Sequence, residues 1–171
     1  MNSDRLYYFS NSAAKAPGKG VNEYVSDPNK YTRLAQISDW RRKLSNFYVA
    51  LFVVLGVEWN TVEHMFQSYK INIADSGLAW SFCINSGSQL SMSDGSIAQK
   101  NRKAVVLSPE QLRQWETLKD TILYTALKAK FTQNAELREL LLATGNAELW
   151  HGAPRTTASR QFLLERVRSE L

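Results

Sequence analysis

Three side chains in one stretch have the types and spacing to do chemistry together. Glu63, Gln67 and Lys70 follow an i, i+4, i+7 rhythm within Trp59-Asn60-Thr61-Val62-Glu63-His64-Met65-Phe66-Gln67-Ser68-Tyr69-Lys70. On a helix that rhythm sets an acid, an amide and an amine in a row. At a rise of ~1.5 Å per residue, Glu63 and Lys70 stand roughly 10 Å apart along the axis. That is too far for an easy ion pair, and a small molecule fits between them. Val62, Phe66, Tyr69 and Ile73 recur at the same period, about one position round the axis, and predict the apolar stripe that seats the helix. The positive helix start favours ionised Glu63 and predicts a lowered pKa. Such a group suits a base, or a carboxylate that holds a ribose hydroxyl or stabilises a cation, better than a general acid.

A purely structural reading fits the same residues. Asn60 is a good N-cap, and Glu63 then falls at the capping-box position. Lys70 is then a solvated surface lysine. The stretch alone leaves both readings open.

Composition narrows the function classes. The chain has 171 residues, 44% of them hydrophobic, enough for one folded domain with a core. Five Trp, seven Tyr and seven Phe supply core and also stacking surfaces for bases. The formal net charge of +5 fits a phosphate-bearing ligand or nucleic acid. A single cysteine, Cys83, excludes an internal disulfide and any cysteine-cluster metal site. His64 and His151 are too few for a zinc site, so neither metal nor cofactor is expected. No apolar run approaches a membrane span, and the start Met1-Asn2-Ser3-Asp4-Arg5 is no signal peptide. A soluble, intracellular, cytoplasmic protein without a membrane partner is expected.

The elements that must position the row follow from local pattern. Leu51-Phe52-Val53-Val54, Leu55-Gly56 and Val57-Glu58-Trp59 predict a hairpin feeding the central helix. Trp59 and Glu63 then flank a strand-to-helix junction. Leu6-Tyr7-Tyr8-Phe9 predicts a short strand. Pro17-Gly18-Lys19-Gly20-Val21-Asn22-Glu23 reads either as a plain turn or as backbone N–H groups and a lysine near a phosphate. It lacks the spacing of a Walker loop. Trp40-Arg41-Arg42-Lys43 has the look of a solvated basic face. From Ala74 to Leu107 the chain predicts irregular structure, a binding loop or a solvated one, with a short helical piece over Leu78–Ile84 and a basic cluster at Lys100, Arg102 and Lys103. Ser108-Pro109-Glu110-Gln111 opens the clearest helix, with Leu112, Trp115, Leu118, Ile122, Ala126 and Phe131 expected in the core. A helix over Ala135–Ala143 stops at Gly145. A last helix starts near Ser159 with Phe162, Leu163 and Val167 on one side. His151 and Arg155 fall in the loop before it.

Several stretches together resemble the NADAR domain family, whose bacterial relatives include the YbiA N-glycosidase. Leu44-Ser45-Asn46-Phe47, then Gly56, Trp59, Val62-Glu63-His64, Gln67 and Lys70, are similar to its central motif. Lys130-Phe131, Gln133-Asn134 and Leu140-Leu141-Ala143-Thr144-Gly145 are similar to its C-terminal motif. The resemblance implies an α+β fold, a single domain over 1–171 that is mostly helical with a small antiparallel sheet. It also implies cleavage of N-glycosidic bonds at ribose. One branch of the family acts on riboflavin-pathway intermediates. Another removes ADP-ribose from guanine bases of nucleic acid, often as antitoxin to an ADP-ribosylating toxin. Two features resemble the second branch: the Pro17–Glu23 segment ahead of Trp40-Arg41, and the ending Ala147-Glu148-Leu149-Trp150-His151 in place of a Trp-Gly-x-Gly ending. The run Lys100-Asn101-Arg102-Lys103 departs from the family's Gly-rich pattern there.

On this resemblance Lys70 is the catalytic amine and forms a Schiff base with the opened sugar. That role requires a neutral amine, favoured by burial or by a field from Arg41, Lys43 or Lys19. Glu63 orients ribose hydroxyls or shuttles protons. Lys19, Gly20, Asn22, Glu23, Arg41, Asn46, Gln67 and His151 bind substrate. Trp40, Phe47 and Trp59 are the stacking candidates. The implied substrate is ADP-ribosylated guanine in DNA or RNA, with a cognate toxin as partner. Two alternatives stand beside it: a metabolic N-glycosidase acting on a phosphoribosylamine, and a non-catalytic module binding ADP-ribose or nucleic acid.

Overall fold

The computed structural model describes residues 2–171; Met1, the first residue of the polar start, lies outside the described residues. Along the chain run β1 (Arg5–Tyr8), a 3-10 turn (Pro28–Tyr31), α1 (Thr32–Gln36), α2 (Trp40–Leu44), β2 (Phe52–Val54), β3 (Val57–Trp59), α3 (Val62–Asn72) and α4 (Ser76–Trp80). Two 3-10 turns (Ile84–Ser86, Leu90–Met92), α5 (Gly95–Lys100) and a further 3-10 turn (Asn101–Ala104) follow. The chain ends with α6 (Pro109–Gln133), α7 (Ala135–Ala143), β4 (Glu148–His151), β5 (Ser159–Arg160) and α8 (Phe162–Ser169). The fold is α+β and mostly helical. Its residues group into two compact units. One joins the chain up to Ser45 with Ala135–Leu171, and the other is Asn46–Asn134.

The first unit carries a three-stranded sheet in the order β1-β4-β5. β5 is antiparallel to β4, but β1 runs parallel to β4, with Leu6 opposite Leu149 and Tyr8 opposite His151. This sheet is therefore mixed, because β1 and β4 are joined by the long crossover that a parallel pair needs. Leu6 and Leu149 are fully buried. α7 buries Leu137, Leu140 and Leu141 and ends, as its sequence predicts, before Gly145 at φ 58°. His151 lies in strand β4, not in a loop. The last helix begins three residues later than its periodicity suggests, because Ser159-Arg160 pairs with β4 as a strand. α8 buries Leu164 and Val167, while Phe162 is exposed beneath the Arg160 guanidinium, 4.6 Å from the ring centre.

The second unit holds the predicted hairpin. β2 and β3 are antiparallel, and both turn residues have positive φ, Leu55 at 51° and Gly56 at 78°. That left-handed pair matches the twist of the strands. The outer edge of β2 is closed by side chains from the end of α6. The Val53 N–H donates to Gln133 Oε1 at 2.8 Å, and Gln133 Nε2 donates back to the Val53 carbonyl at 2.7 Å. Asn134 Nδ2 donates to the Leu51 carbonyl. α6 starts with a full capping box between Ser108 and Gln111, contributing about 1 kcal/mol. Its first half buries only Trp115, whose ring meets Phe66 of α3 edge-on at 5.0 Å. Leu112 and Leu118 are exposed, contrary to their expected core placement, because one narrow face of that half is packed. The Ser-rich segment 74–107 is a chain of short helices and turns, tied by serine hydroxyls such as Ser68 to the Ala79 carbonyl and Ser91 to the Ser88 carbonyl. No helix among the described residues is long and apolar enough to cross a membrane.

Candidate active site

The helix predicted from Glu63, Gln67 and Lys70 is α3, and its cap decides between the two readings of Glu63. Thr61, not Asn60, is the N-cap: its hydroxyl accepts from the His64 N–H at 3.1 Å. Asn60 instead donates from Nδ2 to the Ser93 carbonyl at 2.7 Å. Glu63 makes no capping box. Its Oε1 accepts from Gln67 Nε2 at 2.8 Å, one turn on, and its own N–H donates to the Asn46 carbonyl. Glu63 and Gln67 are 7% and 4% exposed, so this face of α3 is sunk into the unit. The residues of the expected stripe Val62, Phe66, Tyr69 and Ile73 divide: Val62 is buried and the other three are half-buried.

Burial reverses the expected titration of Glu63. Desolvation of the carboxylate raises its pKa, opposed by the Gln67 hydrogen bond and then by the cations Arg102 and Lys70. The helix start is outweighed because the carboxylate sits among few other donors. Gln67 Oε1 is buried without a hydrogen-bond partner among the described residues. The pair thus keeps an unfilled acceptor beside a carboxyl that holds its proton more readily than an exposed one. Lys70 is half-buried on the next turn.

The rest of the unit holds this row in place. His64 is fully buried, accepts at Nδ1 from the Thr61 hydroxyl at 2.7 Å, and donates from Nε2 to the Leu90 carbonyl at 2.8 Å. Burial lowers its pKa, opposed by the Leu90 carbonyl and by Asp94, so the neutral ring fits this bonding. Phe47 is half-buried against the start of α5. Its carbonyl accepts from the Gly95 N–H, and a Cβ at Gly95 would lie 2.3 Å from the Phe47 Cα. Trp59 is 4% exposed and tilted against Tyr69, with ring centres 6.3 Å apart. Asn46, Phe47, Trp59, Glu63, Gln67 and Lys70 therefore all lie on or beside α3.

The remaining sequence-predicted residues belong to the other unit. There Glu23 and Arg41 form a buried pair, with side chains 0% and 4% exposed. Arg41 Nη2 donates to Glu23 Oε1 at 2.8 Å and Nη1 to Oε2. Its other N–H groups reach the carbonyls of Lys15, Tyr7 and Ala16, so all five donors are engaged. The backbone N–H groups of Gly18 and Gly20, which the sequence could aim at a phosphate, donate instead to Glu23 at 2.9 and 3.0 Å. A Cβ at Gly20 would meet that carboxyl at 2.8 Å. The segment Trp40–Lys43 is thus not a simple solvated face: Trp40 is 3% exposed with the Arg41 guanidinium 4.1 Å over its ring. Lys19 and Asn22 are exposed on the loop, Asn22 at φ 64°. His151 is half-buried at the end of β4, its ring meeting Tyr8 edge-on, and burial lowers its pKa.

Comparison with known proteins identifies the family. The NADAR domain matches residues 27–157, most of the chain. The chain belongs to the NADAR family. Its relatives include the N-glycosidase YbiA of Shigella flexneri serotype 5b, 36% identical over 112 residues, and that of Escherichia coli K12, 34% identical over the same length. These alignments cover 66% of this chain and 63% of each relative, so the chain spans somewhat under two thirds of the curated relatives it matches. The NMR structure of the E. coli protein YbiA shares the fold, with a TM-score of 0.61, 23% identity, and coverage of 99% of this chain and 86% of that one.

Two residues of this NADAR chain were given no role by sequence. Arg102 lies in the 3-10 turn Asn101–Ala104, and its charge reaches Glu63. Lys130 is fully buried near the end of α6, over the rings of Phe131 at 4.9 Å and Tyr48 at 5.8 Å. Burial pulls its pKa down to about 7. Helical spacing from the buried Ala126 and Leu127 was the available signal, since i+4 and i+3 place Lys130 on their face. Among the described residues no three His, Cys, Asp or Glu side chains converge as metal ligands.

Proposed function

We propose that this chain is an N-glycosidase that removes ADP-ribose from guanine bases of nucleic acid, with Lys70 as nucleophile. The observation that carries the reading is the buried Glu63–Gln67 pair one turn from Lys70, on a helix inside the NADAR match. Membership of the NADAR family and relatives named N-glycosidase support the reaction class. In this scheme the bond from C1′ of the ribose to the guanine nitrogen breaks, and the base leaves with a proton. A bond from C1′ to the neutral Lys70 Nζ forms, the C1′–O4′ bond opens, and one amine proton passes to O4′, giving a protonated Schiff base on the opened sugar. Water then adds to that carbon, releases ADP-ribose as the aldose and regenerates the amine. Glu63, with its raised pKa, delivers the proton to the departing base and takes one from the water. Gln67 holds Glu63 through its amide N–H and offers its unpartnered carbonyl to a substrate hydroxyl or N–H. Arg102 supplies the positive field that a diphosphate needs. A base in a duplex must be extruded to reach such a row, so single-stranded substrate is the simpler case.

A second reading is an N-glycosidase acting on a phosphoribosylamine of riboflavin synthesis; relatives named N-glycosidase support its reaction class and not that substrate. One experiment separates the two. Guanine-ADP-ribosylated single-stranded DNA is incubated with wild type and with Lys70→Ala, and free ADP-ribose is followed. Release by the wild type, lost in Lys70→Ala with its melting temperature unchanged, is the expected result. Full activity in Lys70→Ala removes the Schiff base. No release by the wild type, with turnover of the phosphoribosylamine, moves the assignment to the second reading.

A further inference from the structure

A pocket lies on the side of α3 away from Glu63, Gln67 and Lys70. Ser68, Tyr69 and Asn72 face it, and at ~100° per residue they point about half a turn away from Glu63, Gln67 and Lys70. The pocket holds about 220 Å³ and stays within the Asn46–Asn134 unit. That is below the usual range for a drug-sized ligand and suits one flat ring system. Its walls are aromatic: Tyr69 on α3 and Trp80 at the end of α4, with Val57 beside them. Trp80 is 51% exposed, an unusual cost for a tryptophan with nothing to cover it. No charged side chain lines the pocket, so a phosphate or a carboxylate finds no counter-ion there.

The polar groups complete the description. Trp59 is part of the lining, is 4% exposed, and its indole N–H is buried with no acceptor among the described residues. Buried donors of this kind are rare in native folds, and a bound acceptor removes the defect. Ser68 donates its own proton to the Ala79 carbonyl, which leaves its oxygen to accept. Asn72 stands exposed at the rim with an amide that both donates and accepts.

We propose that this pocket binds a neutral, planar nitrogen heterocycle with a ring acceptor, of the size and chemistry of a nucleobase. The ring stacks on Trp80 and Tyr69, and a ring nitrogen or carbonyl accepts from Trp59. Asn72 reads the outer edge. The proposal goes beyond the glycosidase reading and does not use Lys70. A free nucleoside and a base within a single strand share this chemistry, and the test distinguishes them.

The test is a titration of the 15N-labelled chain, read at the indole N–H signals of Trp59 and Trp80. Adenosine is one ligand, a single-stranded oligodeoxyadenylate hexamer another, and ribose 5-phosphate the control. Both signals move saturably with adenosine, and neither moves with ribose 5-phosphate. Tighter binding of the hexamer assigns the pocket to a base within a strand; equal or weaker binding assigns it to a free nucleoside. Trp80→Ala, at an exposed position, weakens binding about tenfold by removing a stacking wall. Trp59→Phe keeps a ring, loses the donor and weakens binding less. Lys70→Ala binds as the wild type does, whatever its activity. Signals that stay still at millimolar adenosine and hexamer overturn the proposal. Wild-type affinity in Trp80→Ala also overturns it, and wild-type affinity in Trp59→Phe removes the assigned hydrogen bond.

Discussion

Two buried carboxylates, one in each unit, have opposite surroundings. Glu23 meets a guanidinium and three backbone N–H groups, from Tyr7, Gly18 and Gly20. Glu63 meets one side-chain amide, and its neighbour's carbonyl has no partner. Both sites remove a carboxylate from water, so burial alone does not make a reactive group. The number of donors that replace the water does. Around Glu23 they are complete, and Arg41 has no N–H left for a ligand. Around Glu63 they are incomplete, so the proton is held and valences remain open. A saturated ion pair organises a loop; an undersupplied acid is fit for proton transfer.

This contrast can be broken most severely at Glu23. Glu23→Ala leaves Arg41 buried without its anion, and the expected loss is about 3–5 kcal/mol of stability, measured by denaturant unfolding. A variant as stable as the wild type would show that the pair does not hold the loop. At Glu63 the expected change is in rate. Glu63→Gln should slow ADP-ribose release by about 10²–10⁴-fold, the usual worth of a general acid or base. Stability should move the other way. The folded pKa lies above the ordinary 4.5, so the folded state binds more protons than the unfolded chain between those values. Stability therefore falls as pH rises through that window and stays lower above it. Glu63→Gln escapes this loss and should melt no lower than the wild type at pH 7. A marked drop would restore a capping role.

Lys130 sharpens the comparison from the cationic side. Its folded pKa of about 7 is below the ordinary 10.5. Between these values the unfolded chain binds more protons, so this lysine makes stability rise with pH from about 7 to 10.5. Below that window the buried charge is at its most unfavourable. Lys130→Met should raise the melting temperature at pH 6 and flatten the slope above pH 7. A melting profile parallel to that of the wild type would argue against a neutral amine at neutral pH.

The sequence made the frame legible where local chemistry decides. Ser108 and Gln111 capped their helix, Leu55-Gly56 turned its hairpin, and Gly145 ended α7. The row Glu63-Gln67-Lys70 was legible as a row because helical period needs no partner. Its burial was not, since it depends on segments such as Leu90–Ser93 folding back onto His64. The cap was misplaced by one residue because Asn60 and Thr61 are both good caps, and a contact with the distant Ser93 engages the first. His151 was lost to the loops because its strand exists only by pairing with β1, distant in the chain, and with the two-residue β5. The pairing of Glu23 with Arg41 was not legible because sequence shows charge and not who neutralises it. Segment 74–107 looked irregular because its helices are too short to display a period.

The Gln133 side chain has a consequence for how the protein behaves in a crowd of its own copies. Val49, Leu51, Val53 and Leu55 present an exposed apolar row along the hairpin strand, the kind of strand that invites another chain to pair with it. Gln133 occupies both backbone groups of Val53 and Asn134 the carbonyl of Leu51, much as a short strand would. The sticky row remains, but at Val53 both backbone groups are taken and none is left for a neighbour to extend. The end of one helix thus guards the colloidal stability of the hairpin.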